Sequence, residues 1–145
     1  MRAAGFTLVE TLAVLTVAGL AAAALPRLVD AGAGGLVRAA AEEVAATLRE
    51  ARGEARRSGR TARVLFDTAT GAFGLEGSAR PPRRIPPGAV LAVEATADAA
   101  DAGGRIAIRF DAEGGSHGGR VRIALRQAAA AAEVDWLTGH VRILR

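Results

Sequence analysis

The sequence of 145 residues contains no cysteine, no lysine and no tyrosine, and aromatic residues make up only 3% of it. The absence of cysteine excludes a disulfide scaffold, a thiol-dependent enzyme and a cysteine-ligated zinc finger. The formal net charge is only +4 and half of the residues are hydrophobic, which excludes a disordered chain. The length suits a single domain.

Large apolar residues are few and unevenly placed. Alanine accounts for 36 of the hydrophobic residues, so only 37 are larger. Ten of these 37 lie in the first 25 residues, six lie in residues 26–59, and 21 follow from Arg60 onward. The high apolar fraction therefore arises from alanine and from a strongly apolar amino-terminal segment. The carboxy-terminal part has enough large apolar residues for a small core only.

Residues 6–25 read FTLVETLAVLTVAGLAAAAL, and fifteen of these twenty positions are apolar. As a helix the segment would be roughly 30 Å long, the thickness of a bilayer hydrocarbon core, so we predict a transmembrane helix. A secretory signal peptide cleaved near Ala24 and a generic membrane anchor both fit this pattern. Neither explains Glu10, because an ionisable group in a spanning segment costs about 2.5–3.5 kcal/mol.

The stretch Gly5-Phe6-Thr7-Leu8-Val9-Glu10 resembles the processing site of type IV pilins and of the pseudopilins of type II secretion. The resemblance implies a leader of residues 1–5, cleavage between Gly5 and Phe6 by a prepilin peptidase, and N-methylation of Phe6. It also implies that Glu10 meets the new amine of a neighbouring subunit during assembly. Glu10 lies about 6 Å along a helix from that amine, and opposite charges attract strongly near a low-dielectric region.

The membrane orientation follows from the few charges at the start of the chain. Arg2 favours a cytoplasmic amino terminus under the positive-inside rule. We therefore expect a single-pass protein of the bacterial inner membrane whose carboxy-terminal head lies in the periplasm.

Residues 26–59 carry a second helical pattern, in which small and aliphatic residues recur every three or four positions from Leu36 onward. Charged residues of both signs, among them Arg49 and Arg52, lie between them, and we expect these to form a solvated outer face. Ser58-Gly59 is typical of a helix end. We predict an amphipathic helix that continues the first one into the head. Two separate helices, with a hinge at the glycines of residues 32–35, remain the alternative.

Residues 60–145 show short alternating runs that predict an antiparallel β head. The predicted strands are Thr61–Asp67, Ala72–Glu76, Ala89–Glu94, Arg105–Phe110, Arg120–Arg126, Glu133–Leu137 and Val141–Leu144. We interpret 78–88 as an extended linker and 128–132 as a connecting loop. An α+β fold follows, in which the amphipathic helix covers the apolar face of a small sheet.

Two further stretches of the sequence make the resemblance specific to one family. Residues 110–121, which are rich in glycine, and residues 134–142 resemble signatures of the H-type minor pseudopilins, the GspH/FimT family. That family implies a type IV pilin-like fold and a structural subunit of the periplasmic pseudopilus of a type II secretion system. The implied partners are major and minor pseudopilins, the prepilin peptidase, the inner membrane, the secretion platform and secreted cargo.

No catalytic constellation, metal site or cofactor site is predicted. Ser116 and His117 are adjacent on a glycine-rich turn, which rarely places a nucleophile and its base together. His117 and His140 are the only histidines and supply no metal-ligand set. We expect Trp136 to be an anchor in the core or at a sheet edge.

An arginine patch supports a second hypothesis. Arg120, Arg122, Arg142 and Arg145 fall on or beside predicted strands, where they could contact phosphates or a partner. Some FimT-like minor type IV pilins bind DNA during natural transformation through a Gly-Arg-x-Arg motif. The matching stretch here, residues 139–142, has His140 in place of the first arginine. An exported soluble protein is the third possibility.

Overall fold

The computed structural model describes residues 8–95 and 103–144, apart from the side chains of residues 23–31. One helix, α1, runs over Leu8–Ser58. Its 51 residues correspond to about 76 Å. The helix continues through the glycines at 32, 34 and 35, so the alternative of two hinged helices is wrong. Gly59 ends it with a positive φ of 64°, which a residue without a Cβ adopts readily.

The two halves of α1 have different surroundings. Every residue from Leu8 to Ala22 is exposed, whereas side chains from Ala33 onward are buried at helical spacing. We call residues 8–22 the stalk. Within the described residues, no helix combines the length and the hydropathy that crossing a membrane requires. The predicted span, residues 6–25, lies only partly within those residues.

Eight strands follow the helix and form two antiparallel four-stranded sheets. Sheet A has the order β3-β2-β1-β5, and sheet B has the order β4-β6-β7-β8. The antiparallel head is as predicted, and the division into two sheets is new. The strands are β1 Ala62–Asp67, β2 Ala72–Leu75, β3 Arg83–Arg84, β4 Val90–Glu94, β5 Ile106–Phe110, β6 Gly119–Leu125, β7 Ala128–Val134 and β8 Val141–Leu144.

The alanine run is where the strand prediction was wrong. Residues 128–132 are not a connecting loop but the first five residues of β7, and the predicted strand at 133–137 ends at Val134. The run pairs along its whole length with β6, and Ala130, Ala131 and Ala132 are buried. Small side chains let the helix approach this strand closely, which outweighs the preference of alanine for helix. The linker 78–88 also contains one short strand, β3, that was not predicted.

The core lies between α1 and the two sheets. Leu48 of the helix is fully buried, and the rings of Phe66 and Phe73 stack with centroids 6.1 Å apart. Burying each such side chain contributes about 1.5–3 kcal/mol. The helix therefore covers both sheets, as the amphipathic pattern predicted. The other large side chains of the core are those of Val37, Val44, Val64, Ile108, Phe110, Val121 and Ile123.

Candidate assembly surfaces

Of the processing motif, the structure describes only Leu8, Val9 and Glu10, at the start of the stalk. Glu10 is exposed near the start of the described part of α1. Gly5 and Phe6 lie outside the described residues. Cleavage between them and methylation of Phe6 therefore stay predictions.

The predicted arginine patch falls on the outer face of sheet B. Arg120 and Arg122 lie on β6 and Arg142 lies on β8, all exposed, while Arg145 lies outside the described residues. The structure brings two of them to one carboxylate: Glu133 lies 3.4 Å from Arg120 and 3.1 Å from Arg142. The hydrogen bond from Arg142 lowers the pKa of Glu133, with the charges of both arginines acting in the same direction.

Among the described residues of the patch, Arg122 is the one without an ion pair. Its strand neighbours are Ala92 and Ala131, and no ion pair among the described residues involves it. Arg120 additionally faces Glu94 across the strand pair. The patch is therefore a mixed surface in which a phosphate would compete with carboxylates already in place.

The loop between β7 and β8 is held in one conformation by Asp135. This carboxylate accepts hydrogen bonds from the backbone N–H groups of Leu137 and Thr138 and from the hydroxyl of Thr138, at 2.8–3.1 Å. The backbone and side-chain bonds from Thr138 lower its pKa. Trp136 and Leu137 project from this loop with 69% and 67% of their surface exposed. The expectation that Trp136 is an anchor in the core or at an edge is wrong.

Two helix arginines fasten the loops of the head to α1. Arg52 donates from Nε to the carbonyl oxygen of Gly114 at 2.9 Å and from Nη2 to that of Thr138 at 2.8 Å. Arg49 donates to the carbonyl oxygen of Val141 at 3.1 Å. A Cβ atom on Gly139 would overlap the carbonyl oxygen of Gly114, so only glycine permits this approach.

Sequence reasoning missed these contacts because it placed both arginines on a solvated outer face. The available signal was their position: Arg49 and Arg52 lie one helical turn apart, beside the buried positions Leu48 and Ala51. An arginine at the border of a buried helix face can reach over the apolar contact to polar groups beyond it.

Ser116 and His117 form hydrogen bonds with other groups and not with each other. The hydroxyl of Ser116 donates to the carbonyl oxygen of Arg109 at 2.7 Å, so it is not directed at the imidazole. A ring nitrogen of His117 lies 2.7 Å from Nη2 of Arg109 and must accept, because arginine only donates. Within the described residues, no group of three histidine or acidic side chains could hold a metal ion.

Comparison with known families agrees with this arrangement. The family described as type II transport protein GspH matches residues 40–138, which covers most of the buried half of α1 and seven of the eight strands. The prokaryotic N-terminal methylation motif matches residues 1–26. No curated protein sequence matches the chain significantly.

Solved structures share the fold at low sequence identity. The minor pseudopilin EpsH from the type 2 secretion system of Vibrio cholerae superposes with a TM-score of 0.59 at 15% identity, covering 74% of this chain and 95% of that one. The type IV minor pilin FimU of Pseudomonas aeruginosa PAO1 gives 0.54 at 16% identity, covering 75% and 88%. Both have the pilin-like fold seen here. With the GspH match over most of its length and the methylation motif before it, the chain belongs to the GspH family of type II transport proteins.

Proposed function

We propose that the chain is a structural subunit of the periplasmic pseudopilus of a type II protein secretion system, assembled from the inner membrane. One observation carries this proposal: a single continuous helix has an exposed, largely apolar first part, the stalk, and a second part that is packed into the folded head. Seven large apolar side chains of the stalk are 58–81% exposed. Contiguous apolar surface of this kind calls for a cover, either lipid or the helices of neighbouring subunits.

The membrane stage of this life cycle follows from the methylation motif. A prepilin peptidase cuts between Gly5 and Phe6 and methylates the new amine, as the family match over residues 1–26 supports. The amino terminus faces the cytoplasm and the head lies in the periplasm. The stalk then leaves the lipid for the interior of the fibre.

Glu10 acts at that transfer. A carboxylate on an otherwise uncharged stalk is costly in hydrocarbon unless it meets a positive charge. The cationic amine of Phe6 on a neighbouring subunit supplies one, and the pair fixes the axial position of the incoming subunit. Glu10 is thus the residue that registers assembly.

The head contacts other major and minor pseudopilins, the secretion platform or cargo through the loop of Trp136 and Leu137. The hydrogen bonds of Asp135 and the brace from Arg52 hold this loop before a partner arrives. A fixed aromatic side chain loses little entropy on binding, and tryptophan is frequent among residues that dominate interfaces. The loop is therefore the contact surface of the head that we favour.

Intact-mass measurement of the protein purified from membranes tests the proposal. We expect a mature chain that begins at Phe6 and carries one additional methyl group. A chain that begins near Leu25 would instead establish a signal peptide and an exported soluble protein. A chain that keeps residues 1–5 would refute processing as a pseudopilin.

A matched pair of variants tests the assembly role. Glu10→Gln should abolish copurification with the other pseudopilins, whereas Glu42→Gln, an exposed acid on the same helix, should leave it intact. Equal copurification of both variants would rule out Glu10 as the registering residue. The DNA-binding alternative has less support, because Glu133 already occupies Arg120 and Arg142.

A further inference from the structure

A basic cleft lies where the last turns of α1 meet the start of β8. Its walls are Arg49, Arg52, Gly53 and Arg56 of the helix, together with His140 and Val141. The three arginines are spaced at i, i+3 and i+7, which places them on one helix face. We call this site the helix cleft; it is separate from the arginine patch on the outer face of sheet B.

No carboxylate among the described residues forms an ion pair with the arginines of the helix cleft, Arg49, Arg52 and Arg56. Arg49 and Arg52 donate to backbone carbonyl oxygens, which orient the guanidinium groups and leave their charge in place. The carboxylates of Asp111 and Asp135, in the two loops that Arg52 contacts, accept hydrogen bonds within their own loops.

We propose that the helix cleft binds a carboxylate of an acidic segment on a partner protein. A guanidinium group pairs with a carboxylate through two parallel hydrogen bonds, and Arg49 and Arg52 keep unused N–H groups for this. Since the head already orients both side chains, little further entropy is lost on binding. Arg56 makes no side-chain bond to described residues and closes over the bound group.

A protein carboxylate fits the cleft better than the phosphate of a lipid or a nucleic acid. Arg52 lies about 55 Å along the helix from Leu15 in the middle of the stalk, beyond reach of a headgroup. This exclusion of lipid rests on the proposed membrane position of the stalk. A nucleic acid presents a line of charges and needs an extended basic surface. Here Glu133 pairs with Arg120 and Arg142, so the outer face of sheet B offers no unbroken line of positive charge.

Titration of the full-length protein in nonionic detergent, at low ionic strength, tests this site. The probe is a fluorescent acetylated tetraglutamate amide, and the corresponding tetraglutamine peptide is its neutral control. We expect the glutamate peptide alone to bind, and Arg56→Gln to weaken its binding about fivefold or more. Arg122→Gln removes the same charge from an exposed residue outside the cleft and should change the affinity less than about twofold.

Three results would overturn the proposal. Equal binding of the two peptides would show that no carboxylate is recognised, and equal weakening by both variants would show a general charge effect. An octathymidylate that binds more tightly than the glutamate peptide, and that Arg56→Gln weakens, would assign the cleft to nucleic acid instead. A correctly processed chain that fails these titrations refutes the cleft alone, and a wrongly processed chain that passes them refutes the membrane proposal alone.

Discussion

Arg52 of the helix donates from Nε to the carbonyl oxygen of Gly114, which lies 62 residues away in the sequence. The same guanidinium group reaches Thr138, so one side chain fastens two loops of the head to α1. The loop that displays Trp136 and Leu137 is one of the two. The stability of the head and the geometry of its proposed contact surface therefore depend on the same residue.

Replacing Arg52 should destabilise the head. Arg52→Gln removes two charge-assisted hydrogen bonds and leaves the carbonyl oxygens of Gly114 and Thr138 to find new partners. We expect the free energy of unfolding in urea to fall by about 2–4 kcal/mol. Arg56→Gln removes an arginine of the same helix face that makes no such bond, and should stay within about 0.5 kcal/mol of the parent. Similar losses in both would contradict the bracing role.

Gly139 should not tolerate a side chain. Gly139→Ala brings a Cβ atom into the carbonyl oxygen of Gly114 and also strains a backbone with φ of 63°. Gly59 has nearly the same φ, 64°, but nothing lies within 4 Å of its missing Cβ. Gly59→Ala should therefore report the strain alone, about 1–2 kcal/mol.

In Gly139→Ala, the overlap with the carbonyl oxygen of Gly114 should lower the free energy of unfolding by about 1–3 kcal/mol more than the backbone strain alone. Urea unfolding of the two variants beside the parent measures the difference. If Gly139→Ala costs no more than Gly59→Ala, the close approach of the two loops is wrong.

Two leucines of the same helix should differ in their effect on the head. Leu48 is completely buried in the core between α1 and the two sheets, and Leu48→Ala should lower the free energy of unfolding by about 2–5 kcal/mol. Leu12 on the stalk is 60% exposed, and Leu12→Ala should change it by less than about 0.5 kcal/mol. Chemical unfolding followed by circular dichroism provides the comparison. A large loss from Leu12→Ala would show that the stalk also packs on the head.

The folded head should become less stable in acid, because protonation removes the charge of two hydrogen-bonded carboxylates. The hydrogen bonds of Thr138 lower the pKa of Asp135, and those of Thr70 lower the pKa of Asp67. A lowered pKa means that the charged form is bound more favourably in the folded state. This stabilisation is present above the unfolded pKa of about 3.9 and is lost as the pH falls through the folded value.

Asp135→Asn should therefore be less stable than the parent at neutral pH, and the difference should shrink in acid. The free energy of unfolding, measured from neutral pH down to strong acid, gives both curves. A difference that is constant over the whole range would show that the charge of Asp135 plays no part.

Much of the fold could be predicted because the local patterns agreed with the final structure. Five of the predicted strands, from Thr61–Asp67 to Arg120–Arg126, overlap the observed ones to within one residue at each end, and Val141–Leu144 is unchanged. The alanine run failed because its conformation is decided by its neighbours: β6 pairs with it and α1 packs on it. Intrinsic preference and periodicity carry no record of such long-range contacts.

The candidate surfaces were harder to predict than the fold. The stretch Gly5–Glu10 is contiguous and could be identified from six residues. The pairing of Glu133 with Arg120 and Arg142 depends on which strands are neighbours, and strand order was not predicted. The two hydrogen bonds of Arg52 depend on two loops that come together only when the head is folded.

The bond between Arg49 and Val141 joins residues 92 positions apart, and β8 lies at the edge of sheet B. Closing so long a loop is entropically costly, and folds rich in distant contacts form slowly. During synthesis, the part of α1 that sheet B covers lacks this cover until β6 and β7 have emerged, and the edge strand β8 follows last. The growing chain therefore exposes part of the apolar face of α1 between the completion of the helix and the completion of β7, and a chaperone or the membrane surface has that interval in which to bind it.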